Sequence, residues 1–110
     1  MEKEPNDDYQ HANGPLLANQ DYFGYPDDQK DYFSIYLSNP SEITIDLTNY
    51  TGQGGQLQLF YQTVNNLVAY DPTAPYHITY SGQPGWYYIY IYTASGFNTT
   101  TPYTLRVTYP

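Results

Sequence analysis

Apolar and polar residues alternate along most of this chain with a period of two. Phe33, Ile35 and Leu37 alternate with Tyr32, Ser34 and Tyr36, and Ile43, Ile45 and Leu47 with Thr44 and Asp46. Leu57 and Leu59 continue the pattern within residues Gln56 to Tyr61, and Tyr103, Leu105 and Val107 repeat it before the last residues. A period of two predicts half-buried strands. Between the runs stand turn formers, among them Asn39-Pro40-Ser41, Thr51 to Gly55, Asn65-Asn66, the Pro72–Pro75 loop, Ser81 to Pro84 and Ser95 to Asn98. Residues 21–24 predict an edge strand, and Tyr76 to Tyr80 a strand around Ile78. No stretch shows helical periodicity with caps. The expectation is an all-β fold, an antiparallel β-sandwich of about eight strands. Its predicted core is Phe33, Ile35, Leu37, Ile43, Ile45, Leu47, Leu57, Leu59, Ile78, Ile89, Ile91, Leu105 and Val107.

The longest aromatic and β-branched run is Gly85 to Ala94, and it predicts a central strand. Tyr87, Ile89 and Ile91 fall on one side, which is the better core face. Tyr88, Tyr90 and Tyr92 fall on the other, about 6–7 Å apart. Either other side chains cover that tyrosine row, so that it coats a sheet, or it forms a stacking and hydrogen-bonding platform for an extended ligand.

Composition narrows the partners. Charged residues are only 13% of the chain and aromatics 19%, with 16 tyrosines. Lys3, Lys30 and Arg106 are the only Lys or Arg residues, and the net charge is −8. Binding to nucleic acid or to an anionic membrane is therefore disfavoured. No apolar run approaches membrane-spanning length. There is no cysteine, hence no disulfide and no thiolate metal site. His11 and His77 are the only histidines, and no Gly-x-Ser-x-Gly occurs, so the chain reads as a non-enzyme. Residues 1–14, polar and acidic with Pro5, read as a linker segment, and residues 15–110 as the sandwich.

Three stretches taken in order carry a resemblance. They are Glu4-Pro5-Asn6-Asp7, Asp31-Tyr32-Phe33 opening a strand, and Gly85 to Ile91 with Tyr103 to Val107 at the end. Their order and spacing resemble the bacterial pre-peptidase C-terminal domain. The resemblance spans Glu4 to Tyr109. It implies a jelly-roll-like sandwich, non-catalytic, carried by a secreted peptidase or other extracellular hydrolase. Some members are removed on maturation and some bind the polymer that their enzyme attacks. A processing or secretion domain, and a structural spacer or adhesin repeat, therefore stand beside the binding module as readings.

The chain is also similar to the collagen-binding domains of clostridial collagenases. Their Glu-x-Glu-x-Asn entrance, which holds calcium, is matched by Glu2, Glu4 and Asn6. Their two aspartates three apart are matched by Asp28 and Asp31. The resemblance thus implies calcium on Glu2, Glu4, Asn6, Asp28 and Asp31. Such a set suits an ion that takes six to eight oxygens. It further implies ligand contacts at Tyr92, with Tyr70 as another position, while a second collagen-contacting tyrosine falls on Ala94. With Tyr88 and Tyr90 these residues make up the expected surface for an extracellular polymer, collagen-like protein or polysaccharide.

Overall fold

The computed structural model describes residues 14–24, 30–51, 55–63, 66–72, 76–97 and 101–109. Eight strands run in chain order: β1 (Gln20–Gly24), β2 (Lys30–Leu37), β3 (Ser41–Thr48), β4 (Gln56–Tyr61), β5 (Leu67–Asp71), β6 (Tyr76–Gly82), β7 (Gly85–Tyr92) and β8 (Tyr103–Thr108). They form two four-stranded sheets, ordered β1-β8-β3-β6 and β2-β7-β4-β5. Every pairing is antiparallel. Among the described residues there is no helix.

The alternation seen in the sequence decides the faces. Strands β2, β3, β4, β6, β7 and β8 turn their aliphatic positions towards the opposite sheet, and every residue of the predicted core is buried. The inward side of β7 is Tyr87, Ile89 and Ile91, all essentially solvent-free. Burying a side chain of the isoleucine class is worth about 1.5–3 kcal/mol. Leu16, Tyr76, Tyr87 and Tyr103 add to the core that the aliphatic residues define. As expected, β7 is an interior strand, flanked by β2 and β4.

Two local features set the geometry near the sheet that carries the tyrosines. The β6–β7 turn depends on glycine at both ends. A Cβ on Gly82 would lie 2.7 Å from the Tyr87 hydroxyl. Gly85 has φ of +137° and would bring a Cβ to 3.1 Å from the Tyr61 ring. The turn is then tied down by hydroxyls, with Tyr61 donating to the Pro84 carbonyl and Tyr87 to that of Gln83. The second feature is at the outer edge of β2. There the Leu16 N–H donates to the Ser34 carbonyl at 2.8 Å, so the segment before β1 crosses from one sheet to the other. A hydroxyl from Tyr109 holds the Leu16 carbonyl in turn.

Candidate functional site

The outer face of the β2-β7-β4-β5 sheet is built by register. Tyr90 stands opposite Tyr32 on β2 and Gln58 on β4, and Gln58 stands opposite Tyr70 on β5. The next row runs Ser34, Tyr88, Phe60, Leu67. Beyond it Tyr36 faces Trp86, and at the other end Tyr92 faces Gln56. The four tyrosines expected to contact ligand, Tyr70, Tyr88, Tyr90 and Tyr92, thus share one sheet face. Lys30 holds the register position opposite Tyr92 at one end of this face, and no other charged residue among those described falls on it.

These tyrosines are not equivalent. Tyr70 is 60% exposed, at the sheet edge. Tyr88 and Tyr92 are partly buried. Tyr90 is locked in place. Its ring stacks on Tyr32, with centroids 4.6 Å apart, and packs against Phe60 from the other flanking strand at 6.4 Å. Tyr92 adds an edge contact at 6.2 Å. Burial, then the neighbouring Tyr32, Tyr92 and Asp31, push the Tyr90 phenol up to about 12. Tyr92 has its backbone held from below, where the Tyr50 hydroxyl reaches the Tyr92 carbonyl at 3.2 Å and the Thr93 hydroxyl at 2.6 Å. The amides beside this row are oriented as a pair, Gln58 donating to Gln56 at 2.7 Å.

Of the residues expected to hold calcium, Glu2, Glu4, Asn6 and Asp28 lie outside the described residues. Asp31 is described. It belongs to β2, opposite Ile91, and is 1% exposed. Its Oδ2 accepts a hydrogen bond from the Tyr103 hydroxyl at 3.0 Å. Among the described residues, no group of three or more His, Cys, Asp or Glu side chains could hold a metal ion. A carboxylate is the donor type that calcium takes, and one residue falls far short of the six to eight oxygens the ion requires.

The opposite sheet has a different outer surface, which alternation alone does not reveal. Asp21, Arg106, Asp46 and His77 form one row across all four strands. Arg106 donates to Asp21 at 3.0 Å, and His77 Nδ1 pairs with Asp46 at 2.5 Å. His77 Nε2 lies 3.1 Å from the Thr79 hydroxyl. Each residue sits at an outward position that the sequence shows. Their meeting in a row depends on cross-strand register, which needs the structure.

Known proteins give the fold a context. The family model described as the bacterial pre-peptidase C-terminal domain matches residues 29–93. Collagenase ColT of Clostridium tetani is 33% identical over 103 residues, covering 86% of this chain. The chain spans 10% of that relative's length. The crystal structure of the pre-peptidase C-terminal domain of a Bacillus anthracis collagenase matches with a TM-score of 0.73 at 22% identity, covering 96% of this chain and 99% of that one. PliG of Aeromonas hydrophila, a periplasmic inhibitor of g-type lysozyme, matches with a TM-score of 0.60 at 10% identity over 83% of each chain. At such identities the two structural likenesses speak for the fold.

Proposed function

The chain belongs to the bacterial pre-peptidase C-terminal domain family, and on that premise we propose that it is a non-catalytic accessory domain that holds a larger secreted hydrolase against an insoluble extracellular polymer. The observation that carries this reading is the gathering of Tyr70, Tyr88, Tyr90 and Tyr92 on one sheet face. Aromatic rings with polar tips give contact area at low entropic cost, which suits an extended polymer. The relative named as a collagenase favours collagen-like protein over polysaccharide as that polymer.

Calcium belongs to the same proposal. Glu2, Glu4, Asn6 and Asp28 would join Asp31 as its oxygen ligands. The bound ion would neutralise carboxylates that otherwise repel one another in a chain of net charge −8.

Co-sedimentation with collagen fibrils, chitin and cellulose tests the reading. The wild-type chain is expected to sediment with collagen, and Tyr92→Ala to weaken binding by about 1–2 kcal/mol while the fold survives. Binding through these rings should change little with salt, because stacking and hydroxyl contacts are screened far less than ion pairs. Failure to sediment with any of the three would transfer the family assignment to a processing domain that is cut away on maturation.

A further inference from the structure

With 16 tyrosines and no cysteine, any oxidative cross-link within this chain falls to phenols rather than thiols. Joining two phenols needs a defined geometry. A phenol that loses one electron and one proton becomes a phenoxyl radical. Its unpaired spin occupies a π orbital on the oxygen and on the ring carbons ortho and para to it. The lobes of that orbital stand above and below the ring. A carbon–carbon bond between two such rings therefore forms face to face, and stacked rings are poised for it where edge-on rings are not.

The tyrosine pairs differ in this respect. Tyr50 with Tyr76, Tyr80 with Tyr87 and Tyr90 with Tyr92 meet edge to face, at 87°, 64° and 77°. Tyr61 and Tyr87 are close, at 4.8 Å, but tilted by 38°, and both hydroxyls are engaged by backbone carbonyls. Of these pairs and the Tyr32–Tyr90 pair, only the last lies flat, with centroids 4.6 Å apart and planes 11° from parallel. For rings about 3.5 Å apart at contact, that centroid distance leaves a sideways offset of about 3 Å, which sets carbons of one ring over the other.

The backbone holds the pair in this relation. Tyr32 on β2 stands directly opposite Tyr90 on β7, and β4 flanks β7 on its other side. The ring next to Tyr90 on that side is Phe60, which has no hydroxyl and cannot become a phenoxyl. Tyr90 is partly exposed and Tyr32 is buried. A small oxidant reaches the first ring, and the second gives up its electron through the stack. Burial also keeps Tyr32 from meeting a tyrosine of another molecule.

We propose that Tyr32 and Tyr90 form an oxidative modification site, at which a one-electron oxidant such as a peroxidase with hydrogen peroxide joins the two rings as dityrosine. Each phenol gives up one electron and one proton. The two radicals couple ortho carbon to ortho carbon, and the hydrogens on those carbons move to the oxygens as both rings become aromatic again. One hydrogen peroxide takes the two electrons and two protons and leaves as two molecules of water. The product ties β2 to β7 as a disulfide would, closing a loop in the unfolded chain and so favouring the folded one. The site stands whether or not the sheet face binds a polymer.

The full chain, folded and dilute, is photo-oxidised with ruthenium tris-bipyridine and persulfate, which takes up the same two electrons as it splits into two sulfates. Dityrosine emission should appear in the monomer, with a mass lower by two hydrogens, and peptide mapping should find Tyr32 joined to Tyr90. Tyr32→Phe and Tyr90→Phe should each lower the monomer's dityrosine emission about tenfold or more, and Tyr92→Phe should leave most of it. The cross-linked chain should unfold at a higher urea concentration than the untreated one. Mapping that joins other tyrosines instead, or dityrosine confined to covalent dimers, overturns the proposal. So does a folded chain that gives no more of the monomer link than the same chain oxidised in urea. The mapping is made on the wild-type chain, so it decides even where a variant fails to fold.

Discussion

The ring of Tyr90 lies flat on that of Tyr32, with centroids 4.6 Å apart and planes 11° from parallel. The two residues face each other across β7 and β2, and Tyr32 is buried although it points to the outside of the sheet. Tyr90 is therefore part of the scaffold under the candidate surface as much as part of the surface. Tyr90→Ala should cost about 2–4 kcal/mol of stability in urea denaturation, approaching the roughly 2–5 kcal/mol expected for Ile89→Ala on the core side. Tyr92→Ala should cost no more than about 1 kcal/mol. Equal losses for Tyr90→Ala and Tyr92→Ala would contradict the division of labour between them.

Alkali should unfold this protein by titrating buried phenols. The Tyr90 phenol is pushed up to about 12, chiefly by burial. Burial also raises those of Tyr50, Tyr76, Tyr87 and Tyr109. An unfolded tyrosine loses its proton near pH 10. With folded values above the unfolded one, the unfolded state gives up protons first as pH rises. Stability is therefore whole below about pH 10 and falls from there through about pH 12. Urea midpoints followed over this window, with phenolate absorbance in parallel, check the sign, and Tyr90→Phe should flatten the fall. Stability that holds steady to pH 12 would show these phenols to be no more buried than free tyrosine.

Calcium should raise the melting temperature. At a free concentration about 100 times the dissociation constant, linkage supplies about 2.7 kcal/mol. For a domain of this size that is a shift on the order of 10 °C or more. Glu4→Ala or Asp28→Ala should remove most of it. Identical melting in calcium and in chelator would take the ion out of the proposal.

Gly85→Ala tests the turn that presents Trp86. The backbone there has φ of +137°, and an added Cβ meets the Tyr61 ring at 3.1 Å. The cost should be about 1–3 kcal/mol, measured as a lowered denaturation midpoint. An unchanged midpoint would mean that the turn re-forms with ordinary backbone angles.

Period-two alternation was enough to assign sidedness. Phe33, Ile35 and Leu37 face in, as do Ile89 and Ile91, and the interior place of β7 follows from its uncharged aromatic run. Alternation says nothing about coverage. Tyr32 and Phe60 are outward by parity yet buried, because their neighbours on adjacent strands are large rings. Tyr88, Tyr90 and Tyr92 could be grouped from one strand, whereas the place of Tyr70 beside them, and the pairing of Tyr36 with Trp86, depend on register between strands distant in sequence. The Asp21–Arg106–Asp46–His77 row was hidden for the same reason. The resemblance implies that Asp31, at the opening of a strand, is a calcium ligand. It proves to be a buried member of β2 bound by Tyr103, and its four expected partners lie outside the described residues.

The strand pairs are nested: β4 with β5, β3 with β6, β2 with β7, and β1 with β8. During synthesis, only the central hairpin has both of its strands available early. Each outer pair must close a longer loop at a higher entropic cost, and β1 has no hydrogen-bonding strand at all until Tyr103–Thr108 has emerged. Pairing between strands so distant along the chain is slow. The aromatic face cannot exist before β7 has been made, so a nascent chain carries no assembled aromatic face until Gly85–Tyr92 has emerged.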